Sequence, residues 1–320
     1  MKIAILGYGT IGKGVFQIAC ENPHLQVVKI LEREERFDQN YLDLFTSNVD
    51  EIVNNQEIEL VVEVLGGYTF AEDAIEKCLK AGKHVVTANK EVIAIDIENL
   101  LALAKTNNVS LAYEASVGGG IPIIKNLKEI KKVNKISKIT GILNGTTNYI
   151  LTKMFEGNTF EEALLDAQKK GFAESDPTAD LEGYDMMRKI AILSDLAFDT
   201  YIDINQIPQK GIKEISKEVV DEAKKNNQVI KFVCSAKLEE NKLSVEVKPE
   251  YFPNNHFFAS VNNEFNAVIL ETYPNDELIF IGKGAGSLPT SSAIIADIID
   301  IKDNLYLENY QNINKYEINK

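Results

Sequence analysis

Residues 171–189 read GFAESDPTADLEGYDMMRK and gather Glu174, Asp176, Asp180, Asp185 and Lys189 in one short stretch. Glycine, proline and two aspartates shape a loop up to about Asp180. From Leu181 onward Met186, Ile190 and Leu193 recur at helical spacing, which predicts a helix over 182–197. Asp185 and Lys189 then share one helix face at i,i+4. Glu174 and Asp180 lie just upstream, able to approach the same point. Carboxylates around one lysine form a cage for a small cationic substrate, with a proton-transfer group at its edge. The same spacing also fits a solvated i,i+4 ion pair, which is common and weak. What the rest of the chain builds decides between the two.

Other segments bear the marks of ligand loops. Gly7-Tyr8-Gly9-Thr10-Ile11-Gly12 follows an apolar run and opens a helical pattern. In a dinucleotide-binding turn the first glycine permits the tight bend. The second lets the backbone approach a pyrophosphate, and the third lets helix and strand pack closely. The N–H groups of the helix start, at Thr10 and Ile11, then face the phosphates. The next run ends in Leu31-Glu32-Arg33. An acid there suits the ribose hydroxyls of NAD and an arginine the 2′-phosphate of NADP; Arg33 tips the expectation toward NADP. Asn89 and Lys90 end the segment TANK after another run, at the strand end where such sheets bind ligands, so Lys90 is placed to meet an anionic group. The glycines of EASVGGGIP (114–122) either turn backbone carbonyls around a cation, with Glu114 supplying charge, or form a hinge. GAGSLPT (284–290), with Gly286, offers N–H groups and hydroxyls at a helix start, suited to an anion or the cofactor edge.

These loops need a scaffold. Short apolar runs at 3–6, 26–31, 60–65, 84–87 and 110–113 alternate with helical patterns near 10–20, 40–54, 70–81 and 96–107. Such runs suit strands buried on both faces of a parallel sheet, and the alternation predicts a doubly wound sheet with right-handed crossovers. Beyond about residue 135, strands are expected at 136–143, 228–238, 243–248, 257–261, 265–272 and 278–281, with helices near 148–156, 160–170, 182–197 and 210–225. Asn262-Asn263 fits a hairpin turn. The expected class is therefore α/β, a Rossmann-type parallel sheet plus an α+β domain with a mostly antiparallel sheet. The division falls at 1–135, 136–282 and 283–320, the last segment returning to the first domain.

Composition narrows the function classes. At 45% apolar and 26% charged, the chain has the make-up of a globular enzyme. A net charge of −14 argues against a nucleic-acid partner. The lysines at 125–138 are interrupted by Glu129 and read as a solvated helix and turn. No run approaches the roughly 18 apolar residues that span a bilayer, so no membrane partner is expected. Three scattered cysteines, Cys20, Cys78 and Cys234, and the absence of a leader pattern suggest a reducing cytoplasm.

Together GYGTIG, VVEVLGG (61–67), AGKHVVTANK (81–90), YEASVGGGIPII (113–124), GILNGTTNYIL (141–151), the 171–189 segment and GAGSLPTSSA (284–293) resemble homoserine dehydrogenase, in the family's order and over most of the chain. The resemblance implies NAD(P)-dependent reversible reduction of L-aspartate 4-semialdehyde to L-homoserine, a step toward threonine and methionine. It makes Lys189 the general acid/base and Asp185 the carboxylate that supports it. Glu174 and Asp180 become residues that engage the substrate's ammonium group. Lys90 becomes a lysine between cofactor and substrate, and Thr146 a residue of a loop near substrate. Glu114, with the carbonyls of Val117, Gly119 and Ile121, becomes a sodium site. It also implies a homodimer built through the second domain. Many members carry a regulatory extension, which is not expected here, since the chain ends at Lys320 shortly after the last matched helix.

Two competing functions leave different marks. An aldehyde dehydrogenase needs a nucleophilic cysteine; none of the three lies in a glycine-rich loop or beside a histidine. A nucleotide-sensing protein on the same scaffold has no use for the Glu174–Lys189 constellation.

Overall fold

The computed structural model describes residues 1–306, 314 and 316–319. It divides into one unit of Met1–Lys125 with the segment from Gly286, and another of Asn126–Ala285 with the segment holding the last strand. The division thus falls at Lys125, within a helix, where the sequence suggests 135.

In the first unit β1 (Lys2–Leu6), β2 (Gln26–Leu31), β3 (Phe45–Thr46), β4 (Leu60–Glu63), β5 (His84–Thr87) and β6 (Leu111–Ala112) form one parallel sheet in the order β3-β2-β1-β4-β5-β6. Four of the runs read KIAIL, LVVE, HVVT and LA, and most of their side chains are sealed from solvent, as a sheet covered on both faces requires. The helices α1 (Thr10–Glu21), α2 (Val49–Val53), α3 (Thr69–Lys80), α4 (Lys90–Thr106) and α5 (Ile123–Ile130) follow the strands. The helix expected over 40–54 is replaced by a 3-10 turn, β3 and the short α2. Phe45 is buried with its ring edge-on to Tyr8 and stacked on Phe37, and Ile30 and Leu31 pair with Phe45 and Thr46. Asn48 then caps α2 by accepting the Asp50 N–H, so helix begins only at Val49.

In the second unit β7 (Lys135–Ile142), β8 (Gln228–Glu239), β9 (Lys242–Pro253), β10 (Phe265–Tyr273), β11 (Asp276–Lys283) and β12 (Glu317–Asn319) are ordered β11-β10-β7-β8-β9-β12. Every pair is antiparallel except β9 with β12. Glu240 and Asn241, both at positive φ, make the tight two-residue turn between β8 and β9. The helices are α6 (Gly145–Phe155), α7 (Phe160–Lys169), α8 (Thr178–Leu181), α9 (Tyr184–Phe198) and α10 (Lys217–Lys225); α9 packs on β7, β8 and β9, and α6 on β8 and β10. Residues 257–261, expected as a strand, form a 3-10 turn over Phe257–Ser260 that the His256 ring caps. Asn262-Asn263 leads from that turn into β10 and not between two strands. The helix expected from 210 begins at Lys217, after the Ser216 cap. Lys131, expected in solvent, donates to the Leu196 carbonyl and to Asp199.

The last helix, α11 (Ser287–Lys302), belongs to the first unit and packs on α1. The contact needs Gly14, where an added Cβ would stand 2.4 Å from the Ser291 hydroxyl. No helix among the described residues is long and apolar enough to cross a membrane.

Candidate functional site

α9 is apolar on most of its circumference, and almost all of it is buried. Its start is set by Gly183, whose φ of 91° and a neighbouring Phe232 ring, 3.0 Å from where a Cβ would stand, leave room for glycine alone. The helix expected from Leu181 is therefore broken: Asp180 sits on the short α8 and Asp185 in the first turn of α9, where the helix dipole favours a carboxylate. Asp185 is 6% and Lys189 9% exposed, which removes the solvated-pair alternative. Lys189 Nζ donates to Asp185 Oδ2 at 2.8 Å and to the Leu143 carbonyl at 2.7 Å. An ammonium carries three hydrogens, and the third has no acceptor among the described residues.

Asn144 organises this cluster, and the sequence reading passed over it. Its Oδ1 caps α6 by accepting the Thr147 N–H, while its Nδ2 donates to Asp180 Oδ1 at 2.7 Å and Asp185 Oδ2 at 2.8 Å. The available signal was an asparagine in cap position between the apolar end of β7 and GTTN. Thr146, buried on α6, donates its hydroxyl to the Phe172 carbonyl and so fastens the loop before α8. Asp176 turns out to be a cap for α8, accepting the N–H and hydroxyl of Thr178. Glu174 is exposed, and its carboxylate pairs with none of the described residues. Burial raises the Asp180 pKa above the ordinary aspartate value, and the charge of Asp185 raises it further; Asn144, Lys189 and Thr146 act in the opposite direction.

In the first unit Gly7, at φ 101°, closes the turn after β1, and a Cβ there would meet the Val64 carbonyl at 2.8 Å. A Cβ on Gly12 would lie 2.0 Å from the Gly7 carbonyl oxygen. Gly9 differs, since a Cβ there would have nothing within 4 Å. Gly9 is the N-cap of α1 and offers no side chain, so the N–H groups of the first turn, at Thr10 and Ile11, face outward uncapped. Gly9 thus leaves open space beside uncapped backbone donors, as a pyrophosphate site requires. Glu32, just past β2, bonds backbone through both oxygens: one accepts the Tyr8 N–H of the glycine loop and the other the N–H of its neighbour Arg33. The Arg33 side chain is exposed. Asn89 caps α4 through its Oδ1, which accepts from Glu91 and Val92, and donates its amide to the Gly67 carbonyl. Lys90 is the first residue of α4 and half-buried. Gly286, at φ 121°, precedes α11 as an N-cap without a side-chain bond.

The Glu114 carboxylate bonds backbone. Both of its oxygens accept backbone N–H groups at the start of α5, from Ile124 at 2.8 Å and Lys125 at 2.7 Å. Gly118 and Gly119, at φ 77° and 57°, turn the chain that follows. The cysteines lack the lowered pKa of an activated nucleophile: burial pushes the Cys78 and Cys234 thiols up to about 12, and raises Cys20 as well.

Comparison with known proteins shows the family. Residues 7–114 match the model of the homoserine dehydrogenase NAD-binding domain, and residues 122–299 that of homoserine dehydrogenase. A homoserine dehydrogenase of Bacillus subtilis is 38% identical over 321 residues, covering 96% of this chain and 74% of its own length. The crystal structure of a homoserine dehydrogenase from Thiobacillus denitrificans superposes with a TM-score of 0.90 at 34% identity, covering 94% of this chain and 73% of that one. A hyperthermophilic archaeal homoserine dehydrogenase solved in complex with NADPH gives a TM-score of 0.83 at 26% identity, over 96% of this chain and 99% of that one.

Proposed function

The chain belongs to the homoserine dehydrogenase family and catalyses NAD(P)-dependent, reversible reduction of L-aspartate 4-semialdehyde to L-homoserine, and we propose that Lys189 moves the proton of that reaction. The observation that carries the proposal is the buried ammonium with two hydrogens engaged and one to spare. The nicotinamide, when bound, supplies the hydride in one direction and accepts it in the other. As the carbonyl oxygen gains negative charge, the third Nζ hydrogen of Lys189 is given to it; in oxidation the amine takes the hydroxyl proton back. Asp185 and the Leu143 carbonyl hold Nζ in place, which keeps the donor oriented. Gly9, Thr10 and Ile11 would hold the pyrophosphate. One Glu32 oxygen accepts the Tyr8 N–H of the glycine loop and the other the N–H of its neighbour Arg33, while the exposed Arg33 side chain is placed to meet a 2′-phosphate, which supports NADP over NAD. Lys90 and Asn89 would meet the cofactor from the end of β5.

Asp180, with Glu174 beside it in sequence, would grip the substrate's ammonium group. Losing one charge-assisted bond of this kind costs about 1.5–3 kcal/mol, so Asp180→Asn is expected to raise the KM for homoserine roughly 10- to 100-fold with a smaller change in kcat. The raised pKa of Asp180 has a sign consequence. As pH falls through it the carboxylate is protonated and the grip is lost, so in the wild type the homoserine KM climbs at a pH above the usual aspartate range. The folded state holds this proton more tightly than the unfolded one, so the charge costs stability at neutral pH and acidification relieves the cost. Asp180→Asn should therefore melt no lower than wild type at neutral pH and lose the acid-side rise in KM. An unchanged KM with the pH dependence intact would remove Asp180 from the site.

A sodium ion and a second copy of the chain complete the reading. Sodium would be held by Glu114 with the carbonyls of Val117, Gly119 and Ile121. This is a hard-cation set of oxygen ligands. The edge strand β11 leaves Ile279 and Ile281 exposed at 42% and 52%, apolar surface that a second copy would cover. Sedimentation and melting in sodium chloride against tetramethylammonium chloride test both: a dimer, and a lower melting temperature without sodium, are expected. A monomer, or identical melting, would discard the corresponding part. Three free cysteines fit a reducing compartment, which supports the cytoplasm as the place of action.

A further inference from the structure

β4 ends in a carboxylate that the chemistry above does not use. Glu63 is 0% exposed, at the carboxyl edge of the parallel sheet where ligands of doubly wound folds bind. Its Oε1 accepts the Leu65 N–H at 2.8 Å and lies 3.5 Å from the Asn89 amide nitrogen, and its Oε2 accepts the Thr87 hydroxyl. The Gly66 N–H bonds to it as well. No lysine or arginine among the described residues pairs with it. An isolated buried charge is expensive, and an aliphatic residue would end a central strand at lower cost. What the charge gains is convergence, since every donor comes from one of two loops, 65–67 or 87–89.

The 87–90 corner is held by the Asn89 cap of α4 and by the Ala88 N–H on the Glu63 carbonyl, whereas the 65–67 loop depends more on Glu63. Gly66 and Gly67 stand at φ 79° and 71° with nothing within 4 Å of where a Cβ would be, a conformation glycine permits but does not enforce. The Thr87 hydroxyl that donates to Glu63 also accepts the Asn89 N–H at 2.9 Å, and the Asn89 amide reaches across to the Gly67 carbonyl at 2.7 Å. The loops are thus tied through Glu63, Thr87 and Asn89, and Lys90 follows directly as the first residue of α4. We propose that Glu63 is a positioning residue for cofactor binding: its carboxylate locks the 65–67 loop to the 87–90 corner and so sets where Asn89 and Lys90 stand. The inference rests on the reading that Asn89 and Lys90 meet the cofactor.

The test compares Glu63→Ala, Glu63→Gln and Thr87→Val with wild type in NADPH binding, read by nucleotide fluorescence, and in the separate KM values for NADP and homoserine. Misplacing a binding loop by a fraction of an ångström should weaken NADPH binding and raise the NADP KM in Glu63→Ala by about tenfold or more, with the homoserine KM within about twofold. Glu63→Gln keeps one acceptor oxygen and offers an amide to the Thr87 oxygen, and should recover to within about threefold of wild type. If Glu63→Ala does not fold, Thr87→Val, which keeps the shape and removes one tie, carries the test with a loss of several-fold in the same direction. Unchanged NADPH binding in the folded variants would overturn the proposal, as would equal rises in both KM values. Because binding is read without turnover, a wild-type protein that bound NADPH but never oxidised homoserine would count against the functional reading and leave this result standing.

Discussion

Lys189→Met is expected to lower kcat for homoserine oxidation by about a thousandfold, inside the roughly 10²–10⁴-fold range that a positioned acid–base group contributes. Methionine keeps the apolar stem and removes all three donors. NADPH binding should be unchanged, because the residues proposed to hold the nucleotide lie in the other unit. A structural penalty is also expected. Asp185, 6% exposed, loses the Lys189 ammonium, and breaking a buried pair from one side costs up to about 3–5 kcal/mol. Loss of turnover alone would therefore be ambiguous. The double variant Asp185→Asn, Lys189→Met removes the carboxylate together with the ammonium and should recover most of the melting temperature while remaining inactive. Recovery of turnover along with stability would show that Lys189 acts only by holding the fold.

Gly9→Val and Gly12→Ala should separate binding from folding within one loop. The Gly9 site has nothing within 4 Å of an added Cβ, so a side chain there projects into open space without displacing protein atoms. Valine should leave the melting temperature nearly unchanged and obstruct the pyrophosphate, costing about 3 kcal/mol of cofactor binding, or roughly a hundredfold in Kd. At Gly12 an added Cβ would sit 2.0 Å from the Gly7 carbonyl oxygen, so alanine there forces β1 and α1 apart. Gly12→Ala should lower the melting temperature first and lose cofactor binding as a consequence. Calorimetry with NADPH titration on both variants reads the contrast. A Gly9→Val protein that binds NADPH normally would place the pyrophosphate elsewhere.

The cofactor scaffold was legible because each of its features has a local cause. GYGTIG follows an apolar strand, the runs at β1, β4 and β5 have no polar alternation, and helical patterns separate them. The proposed proton-transfer site was legible only in part. Spacing puts Asp185 and Lys189 on one face, but burial of that face comes from the β7–β9 surface against which α9 packs, and periodicity carries no information about it. Asn144 escaped notice because a capping asparagine before a helix is ordinary. Its second role, bridging Asp180 and Asp185, requires α8 and α9 to be folded beside it. Glu114 has a role that its place beside glycines does not announce: its two oxygens accept backbone N–H groups at the start of α5. Phe45 and Thr46 were hidden inside a helical pattern because a two-residue edge strand is too short to show a period.

The most direct measurement is the rate at which purified wild-type protein and Lys189→Met reduce NADP in the presence of homoserine, followed by absorbance of the reduced nicotinamide, with NADPH binding measured on the same samples. Wild type should reduce NADP only when homoserine is present, and Lys189→Met should bind NADPH equally well while turning over about a thousandfold more slowly. Turnover of Lys189→Met within about tenfold of wild type would contradict the assignment of the proton to this lysine.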